Sequence, residues 1–203
     1  MRDQLIAATN ANRAAFGIDL SEVATERLAD YFELVLESNS LLHLVGPSSP
    51  EEFATRHILE SLTLLEHFPK NARLADIGAG AGLPSIPCLL VRDDLRATLI
   101  ESKVKKGEFL QLAAERLGID KRVTIINRQF TETQPGDATF VTCRALDKFS
   151  ANLPSLIRWS GRRSLLFFGG ENLREGLQAA GLRFVQKLMP LSERRFLFIV
   201  AEG

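Results

Sequence analysis

The chain has 203 residues, 45% hydrophobic and 25% charged, with 25 basic side chains balancing 25 acidic ones. These proportions exclude a disordered chain and allow one large domain, or one domain with an appendage, around a substantial core. No apolar run approaches the roughly 20 residues that cross a bilayer, the N-terminus lacks the apolar centre of a signal peptide, and two cysteines with three scattered histidines form neither a disulfide framework nor a metal cluster. A cytoplasmic protein without a metal is expected.

Residues 1–70 read as helices. Ser21 can cap a helix to about Glu37, with Val23, Leu28, Tyr31, Phe32, Val35 and Leu36 as its apolar face. A sharper start is Ser49-Pro50-Glu51-Glu52, which offers an N-cap serine, proline at the first helical position and a capping-box glutamate. That helix is predicted to reach about His67, before Pro69. Alternation then begins: strand 73–77, helix 83–91, strand 96–101, helix 104–117 closed by Gly118, strands 122–127 and 138–143, helix 150–159, strand 163–168, and helix 171–180 closed by Gly181. The tail, 182–190 and 194–201, reads as two strands joined by a short polar turn. Alternating strands and helices predict an α/β fold with a parallel sheet into which the terminal hairpin inserts an antiparallel strand. Residues 1–70 are expected to be a helical extension packed on a Rossmann-like unit, 71–203.

The segment Leu74-Ala-Asp-Ile-Gly-Ala-Gly-Ala-Gly-Leu-Pro84 carries the chemistry. A buried strand runs into Asp76 and three alternate glycines, Gly78, Gly80 and Gly82. Without Cβ atoms such a turn reaches positive φ and lets a ligand approach the main chain, and the helix that follows is expected to offer free N–H donors. A dinucleotide fingerprint would require glycine where Leu83 stands. The spacing acidic-x-G-x-G-x-G instead resembles motif I of the class I S-adenosylmethionine-dependent methyltransferases, in which Asp76 would face the cationic amino-acid end of the cofactor. Another nucleotide ligand and a purely structural tight turn are the alternatives. Glu101, at the end of the next strand, stands where doubly wound sheets place the carboxylate that accepts from ribose hydroxyls; pairing with Lys103, Lys105 or Lys106 is the competing reading. Pro87-Cys88 matches the nucleophile dipeptide of cytosine C5 methyltransferases, but it falls inside a helix where no base would reach. Both Cys88 and Cys143 are read as buried apolar residues.

The balanced charge conceals an asymmetry, since the first half of the chain is net acidic and the second net basic. Arg144, Lys148, Arg158, Arg162, Arg163, Arg174, Arg183, Lys187, Arg194 and Arg195 are candidates for a phosphate-binding surface, with interspersed surface charge as the bland alternative.

Four separated stretches, Arg56-His-Ile-Leu-Glu-Ser-Leu62, Leu74 to Pro87, Glu101-Ser-Lys-Val-Lys-Lys-Gly-Glu-Phe-Leu110 and Cys143-Arg-Ala145, resemble the bacterial small-subunit ribosomal RNA guanine-N7 methyltransferases, also called the glucose-inhibited division protein B family. The resemblance covers nearly the whole chain. It implies the seven-stranded class I methyltransferase fold, S-adenosylmethionine as cofactor with S-adenosylhomocysteine as product, and a guanine of 16S ribosomal RNA, free or in the 30S particle, as target of a monomeric enzyme. Carried over by position, the cofactor site comprises Gly78 and its glycine neighbours, Leu83, Glu101, Gln129 and Phe130 at the adenine edge, and Arg144, for which a surface arginine beside Asp147 is the competing reading. His57, Glu60 and Ser61 would share one helix face toward the pocket, with a solvated face as the alternative; His57 and Arg144 are the positioning candidates. Arg158, Arg162 and Arg163 would meet RNA. The chain departs from the family at Phe130, usually acidic, at Cys143, usually serine, at His43-Leu44-Val45, usually Asn-Leu-Thr, and at Gly169, usually a lysine. Guanine N7 presents an in-plane lone pair, so neither a base nor a covalent nucleophile is needed. A metabolite methyltransferase and a non-catalytic cofactor- and RNA-binding assembly protein are the rival readings.

Overall fold

The computed structural model describes residues 1–144 and 149–201; Ala145, Asp147 and Lys148 lie outside them. Seven strands form one sheet in the order β3-β2-β1-β4-β5-β7-β6: β1 Arg73–Ile77, β2 Arg96–Ile100, β3 Val123–Ile126, β4 Phe140–Arg144, β5 Ser164–Gly169, β6 Val185–Leu188 and β7 Phe196–Val200. Strands β1 to β5 are parallel, and β7 inserts antiparallel between β5 and β6. This is the class I methyltransferase topology expected from the alternating pattern. The strand order reverses between β1 and β4, and that is where doubly wound sheets open a ligand crevice beyond the carboxyl ends of the strands.

Strand parity sorts the core into two layers, since successive side chains point to opposite faces. On one face Leu74, Leu99, Leu166, Phe168 and Leu197 join the N-terminal helices and the helices Ser85–Val91 and Val104–Arg116 in a continuous apolar cluster. On the other, Ile77, Val141, Cys143, Phe167 and Phe198 pack on Leu153 and Leu156 of helix Phe149–Ser160 and on Leu173 and Leu177 of helix Glu171–Ala179. Arg144 shares the parity of Phe140 and Thr142, which turns it toward the N-terminal helices.

Helix α1 (Arg2–Asn12) is followed by α2 (Glu22–Leu42) and a helical run over 50–67. Ser21 caps α2 through the Ala24 N–H at 3.1 Å. Of the predicted face, Leu28, Tyr31, Phe32 and Val35 are buried and Leu36 partly so, whereas Val23 is exposed because the buried stripe begins at Ala24 and Thr25. Helix α2 continues five residues past the predicted Glu37 and stops at His43, which adopts the left-handed conformation. The added residues include polar Ser38, Asn39 and Ser40. The Asn39 side chain clips the loop that follows, accepting from the Val45 N–H at 2.9 Å and donating to its carbonyl at 3.1 Å.

The capping box at Ser49 forms as predicted, with Ser49 Oγ accepting from the Glu52 N–H and Glu52 Oε2 from the Ser49 N–H. Beyond it the run widens over Phe53–Leu59 into a turn with i→i+5 hydrogen bonds before resuming α-helix at Glu60. Widened turns of this kind recur at functional sites. No helix of the described residues is long and apolar enough to cross a membrane.

Candidate functional site

At the carboxyl ends of β1 to β4 a cavity of about 560 Å³ opens, lined by Gly78, Ala79, Gly80, Ala81 and Leu83 from the turn after β1, and by Glu101 after β2. Gln129 and Phe130 after β3, Arg144 at the end of β4, His57, Asn152, Lys103 and Lys106 complete it, with Leu44, Val45 and Gly46 at the rim. Most of the residues proposed from the sequence therefore converge here. Asp76 and Gly82 do not line the cavity, and neither do Glu60 and Ser61.

The glycine turn is shaped by conformation and by packing. Gly80 has φ +53, and a Cβ there would meet nothing nearer than the Gly78 carbonyl, so its place is fixed by backbone angle and leaves bare main chain facing the cavity. Gly82, at φ +88, is fixed twice, because a Cβ would sit 2.2 Å from Ile86 Cδ1. Most of the N–H groups of the turn itself are spent inside the protein. The N–H groups of Gly78 and Ala79 both donate to the Ile100 carbonyl, that of Gly82 donates to the Ala79 carbonyl, and that of Gly80 donates to Glu101 Oε2 at 2.9 Å. These internal bonds fix the turn as a rigid surface. Tyr31 of α2 reinforces it, donating its buried hydroxyl to the Ala81 carbonyl at 2.9 Å.

Glu101 is only 6% exposed, and its other oxygen accepts from the Lys103 N–H at 2.8 Å. Two backbone amides thus orient the carboxylate at the cavity wall while each oxygen retains a lone pair for a ligand hydroxyl. Asp76 lies behind the turn, fully buried, and neither of its oxygens finds a donor in good geometry. Burial lifts its carboxyl to about 7, Ser85 beside it offsetting only part of the penalty, and the nearby Glu101 charge adds to the rise. Reach from Asp76 to a ligand in the cavity would have to pass through an intervening group.

Phe130 forms a buried apolar wall and meets Trp159 edge to face at 6.2 Å between centroids. Gln129 beside it is exposed. Arg144 is held on three sides: its Nη2 donates to the Arg56 carbonyl and, at 3.1 Å, to Glu60 Oε2, and its guanidinium lies 5.4 Å from the centre of the Phe168 ring. Its Nη1 is buried without a partner, as is His57 Nδ1 on the same wall. Burial, seconded by the positive charges of Arg144, Arg56 and Arg195, depresses His57 to about 3, so the imidazole is neutral near pH 7.

Glu60 and Ser61 are both buried, which removes the solvated-face reading. Neither faces the cavity: Ser61 Oγ donates to the His57 carbonyl and the Ser61 carbonyl accepts from Cys88 Sγ at 3.3 Å, while Glu60 pairs with Arg144 and Arg195. Cys88 is buried with its thiol pushed upward by burial, as a packing residue. Arg195, a phosphate-surface candidate by charge, is spent instead on Glu60, a pairing invisible in the sequence because nothing local ties the β6–β7 turn to a helix 135 positions earlier.

Arg158, Arg162 and Arg163 sit elsewhere. Helix Phe149–Ser160 runs back from the carboxyl edge, placing them at the amino edge of the sheet, where Ser164 N–H donates to the Thr139 carbonyl. Arg163 donates to the carbonyls of Ala138, Ser160 and Gly136, bracing the loop before β4. Among the described residues Lys103 and Lys106 line the cavity beside Arg144, and exposed Arg56 and Arg128 adjoin the lining residues His57 and Gln129 in the chain.

A Rossmann-like sheet with an inserted antiparallel strand and a nucleoside-sized cavity over a glycine turn defines the S-adenosylmethionine-dependent methyltransferase class. The fold is shared by a solved S-adenosylmethionine-dependent methyltransferase from Aquifex aeolicus, with a TM-score of 0.58 at 14% identity over 75% of this chain and 93% of that one. More narrowly, residues 24–184 match the family model described as GidB, rRNA small subunit methyltransferase G, and the chain belongs to that family. Relatives named ribosomal RNA small subunit methyltransferase G are 36% identical over 79% of this chain and 74% of the Neisseria meningitidis protein, and 32% identical over 91% of this chain and 94% of the Brachyspira hyodysenteriae protein.

Proposed function

We infer that the protein transfers a methyl group from S-adenosylmethionine to N7 of a guanine in 16S ribosomal RNA. The observation that carries this reading is the convergence, on one cavity in a member of this family, of bare glycine backbone, an oriented ribose-type carboxylate at Glu101 and an incompletely satisfied cation at Arg144. These residues fit the cofactor. Gly78 to Ala81 would take its sugar and amino-acid portion against the main chain, Glu101 the ribose hydroxyls, Gln129 and Phe130 the adenine, and Arg144 the amino-acid carboxylate; Asp76 would reach the cationic amine only through water. When bound, S-adenosylmethionine supplies the activated methyl group and leaves as S-adenosylhomocysteine.

The chain's own part is alignment. Guanine N7 needs no proton removed, so the cavity has to hold the base in line and exclude water, an effect worth up to roughly 7–11 kcal/mol in well-oriented systems. Neutral His57 suits the wall of such a site, because it adds no charge to repel a cationic cofactor. The RNA backbone would meet the cations around the mouth, Arg56, Lys103, Lys106 and Arg128, with Arg158 and Arg162 reached only by a substrate that extends to the far edge; Arg163 has its donors on backbone carbonyls. We read residues 1–70 as a helical extension integral to the cavity through Tyr31 and His57, and the protein as a cytoplasmic monomer acting on the RNA or the 30S particle.

The test is incubation with methyl-labelled S-adenosylmethionine and unmodified small subunits or their RNA, followed by cleavage at 7-methylguanosine. One modified guanine is expected. Cofactor binding without transfer to either RNA form would overturn the reading in favour of a metabolite enzyme or a non-catalytic binder.

A further inference from the structure

The cavity wall contains a carboxylate that touches no cavity space, yet it is tied to the arginine that does. Glu60 is 1% exposed, and both oxygens are engaged by guanidinium groups from distant parts of the chain: Oε2 by Arg144 Nη2 at 3.1 Å and Oε1 by Arg195 Nε at 2.6 Å. Burying a carboxylate is unfavourable unless its partners are well placed, and here the partners are fixed independently. Arg195 leaves the β6–β7 turn with its N–H on Ser192 Oγ at 3.0 Å and its carbonyl accepting from the Met189 N–H at 2.8 Å. Arg144 is tied at Nη2 to the Arg56 carbonyl and lies over the Phe168 ring, which leaves Nη1 buried and unpartnered. Among the described residues one carboxylate here serves two guanidinium groups, and Glu52 pairs with Arg56 at 3.8 Å.

We propose that Glu60 is a positioning residue, braced from behind by Arg195, that presents Arg144 at the cavity wall to the carboxylate of the cofactor's amino-acid end. This rests on the cofactor reading given above. Arg144 without Glu60 would keep its charge but lose the contact that selects one rotamer, so the donor aimed at a ligand would no longer be preorganised. Arg195, from the last hairpin, would act only through Glu60.

Calorimetric binding of S-adenosylhomocysteine, which carries the carboxylate, and of 5′-methylthioadenosine, which lacks the amino-acid end, tests this in wild type, Glu60→Gln, Arg195→Gln and Arg144→Ala. Glu60→Gln is expected to weaken S-adenosylhomocysteine about tenfold, as loss of a charge-assisted contact would, while methylthioadenosine binding stays within about twofold. Arg195→Gln, at a half-exposed side chain, should give the same selective loss at smaller size and covers the case in which Glu60→Gln fails to fold. In the Arg144→Ala background neither change should add further loss. Equal weakening of both ligands, loss confined to RNA affinity, or unchanged affinity in Glu60→Gln and Arg195→Gln would overturn the proposal. A wild type that binds neither ligand would bring down the cofactor reading itself, and the inference with it.

Discussion

The two edges of the sheet use the same residue types for opposite ends. At the amino edge, arginine donors are spent on backbone: Arg163 on Ala138, Ser160 and Gly136, Arg122 on Leu89, Arg92 and Leu95, and Arg92 on Phe68 and Pro69. At the carboxyl edge Arg144 Nη1, His57 Nδ1 and both Asp76 oxygens are buried and unmet. A buried polar group without a partner costs about 1–3 kcal/mol, and among the described residues such groups cluster at the carboxyl edge, where Ser85 Oγ joins them, with Thr9, His67 and Arg174 as isolated cases elsewhere. The clustering of unmet hydrogen-bonding capacity, more than the presence of charge, separates the site from the frame.

The widest separation between the edges is expected from glycine. Gly82→Ala meets both a positive φ and the Ile86 side chain, and should reduce S-adenosylmethionine affinity by about 100-fold or more as the turn distorts. Gly161→Ala at the amino edge, with φ +61 and nothing nearer than Arg163 Nη1 at 3.5 Å, should cost about 1 kcal/mol in urea unfolding and leave binding intact. Comparable binding losses in both variants would erase the distinction.

Next come the arginines. Arg163→Ala should lower stability by roughly 1–3 kcal/mol, since three carbonyls lose their donor, with little change in cofactor affinity. Arg144→Ala should lose cofactor affinity as well as stability, because it strips buried Glu60 of one of its two guanidinium partners, so that binding and not the thermal midpoint separates the two variants. If Arg163→Ala instead reduced RNA binding at unchanged stability, the amino edge would have to be counted as part of the substrate surface.

The finest probe is pH. Asp76 has its folded-state carboxyl raised to about 7 from an ordinary value near 3.8, so folding takes up a proton between those values. The stability it allows is complete below about pH 4 and is lost as pH rises toward 7, with a slope of at most about 1.4 kcal/mol per pH unit. Asp76→Asn should remove that slope from the cofactor-free protein, measured by urea unfolding between pH 4 and pH 7. An unchanged slope would place the raised carboxyl elsewhere.

Much of this was legible along the chain because its causes are local. The Ser49 capping box, the end of the run before Pro69, Gly118 and Gly181 closing their helices, and the alternation of strand and helix all follow from neighbours a few residues apart. Gly78, Gly80 and Glu101 could likewise be placed on a ligand cavity, because a strand end and the turn after it occupy the carboxyl edge of any parallel sheet. The last five residues of α2 were not legible, because Asn39 spends its side chain on the loop at Val45, a contact that the apolar periodicity does not register.

Local pattern therefore determined the class of fold, the cofactor turn and the family that the motifs resemble. Only the tertiary structure decided that Asp76 sits behind the turn, that the amides of the turn are already spent, and that Arg158, Arg162 and Arg163 lie at the far edge. It also decided that Arg195 reaches Glu60. The physical reason is that spacing fixes which face of an element a residue occupies, whereas burial, hydrogen-bond satisfaction and ion pairing depend on groups brought together from distant sequence, here residues 60, 144 and 195 on three separate elements.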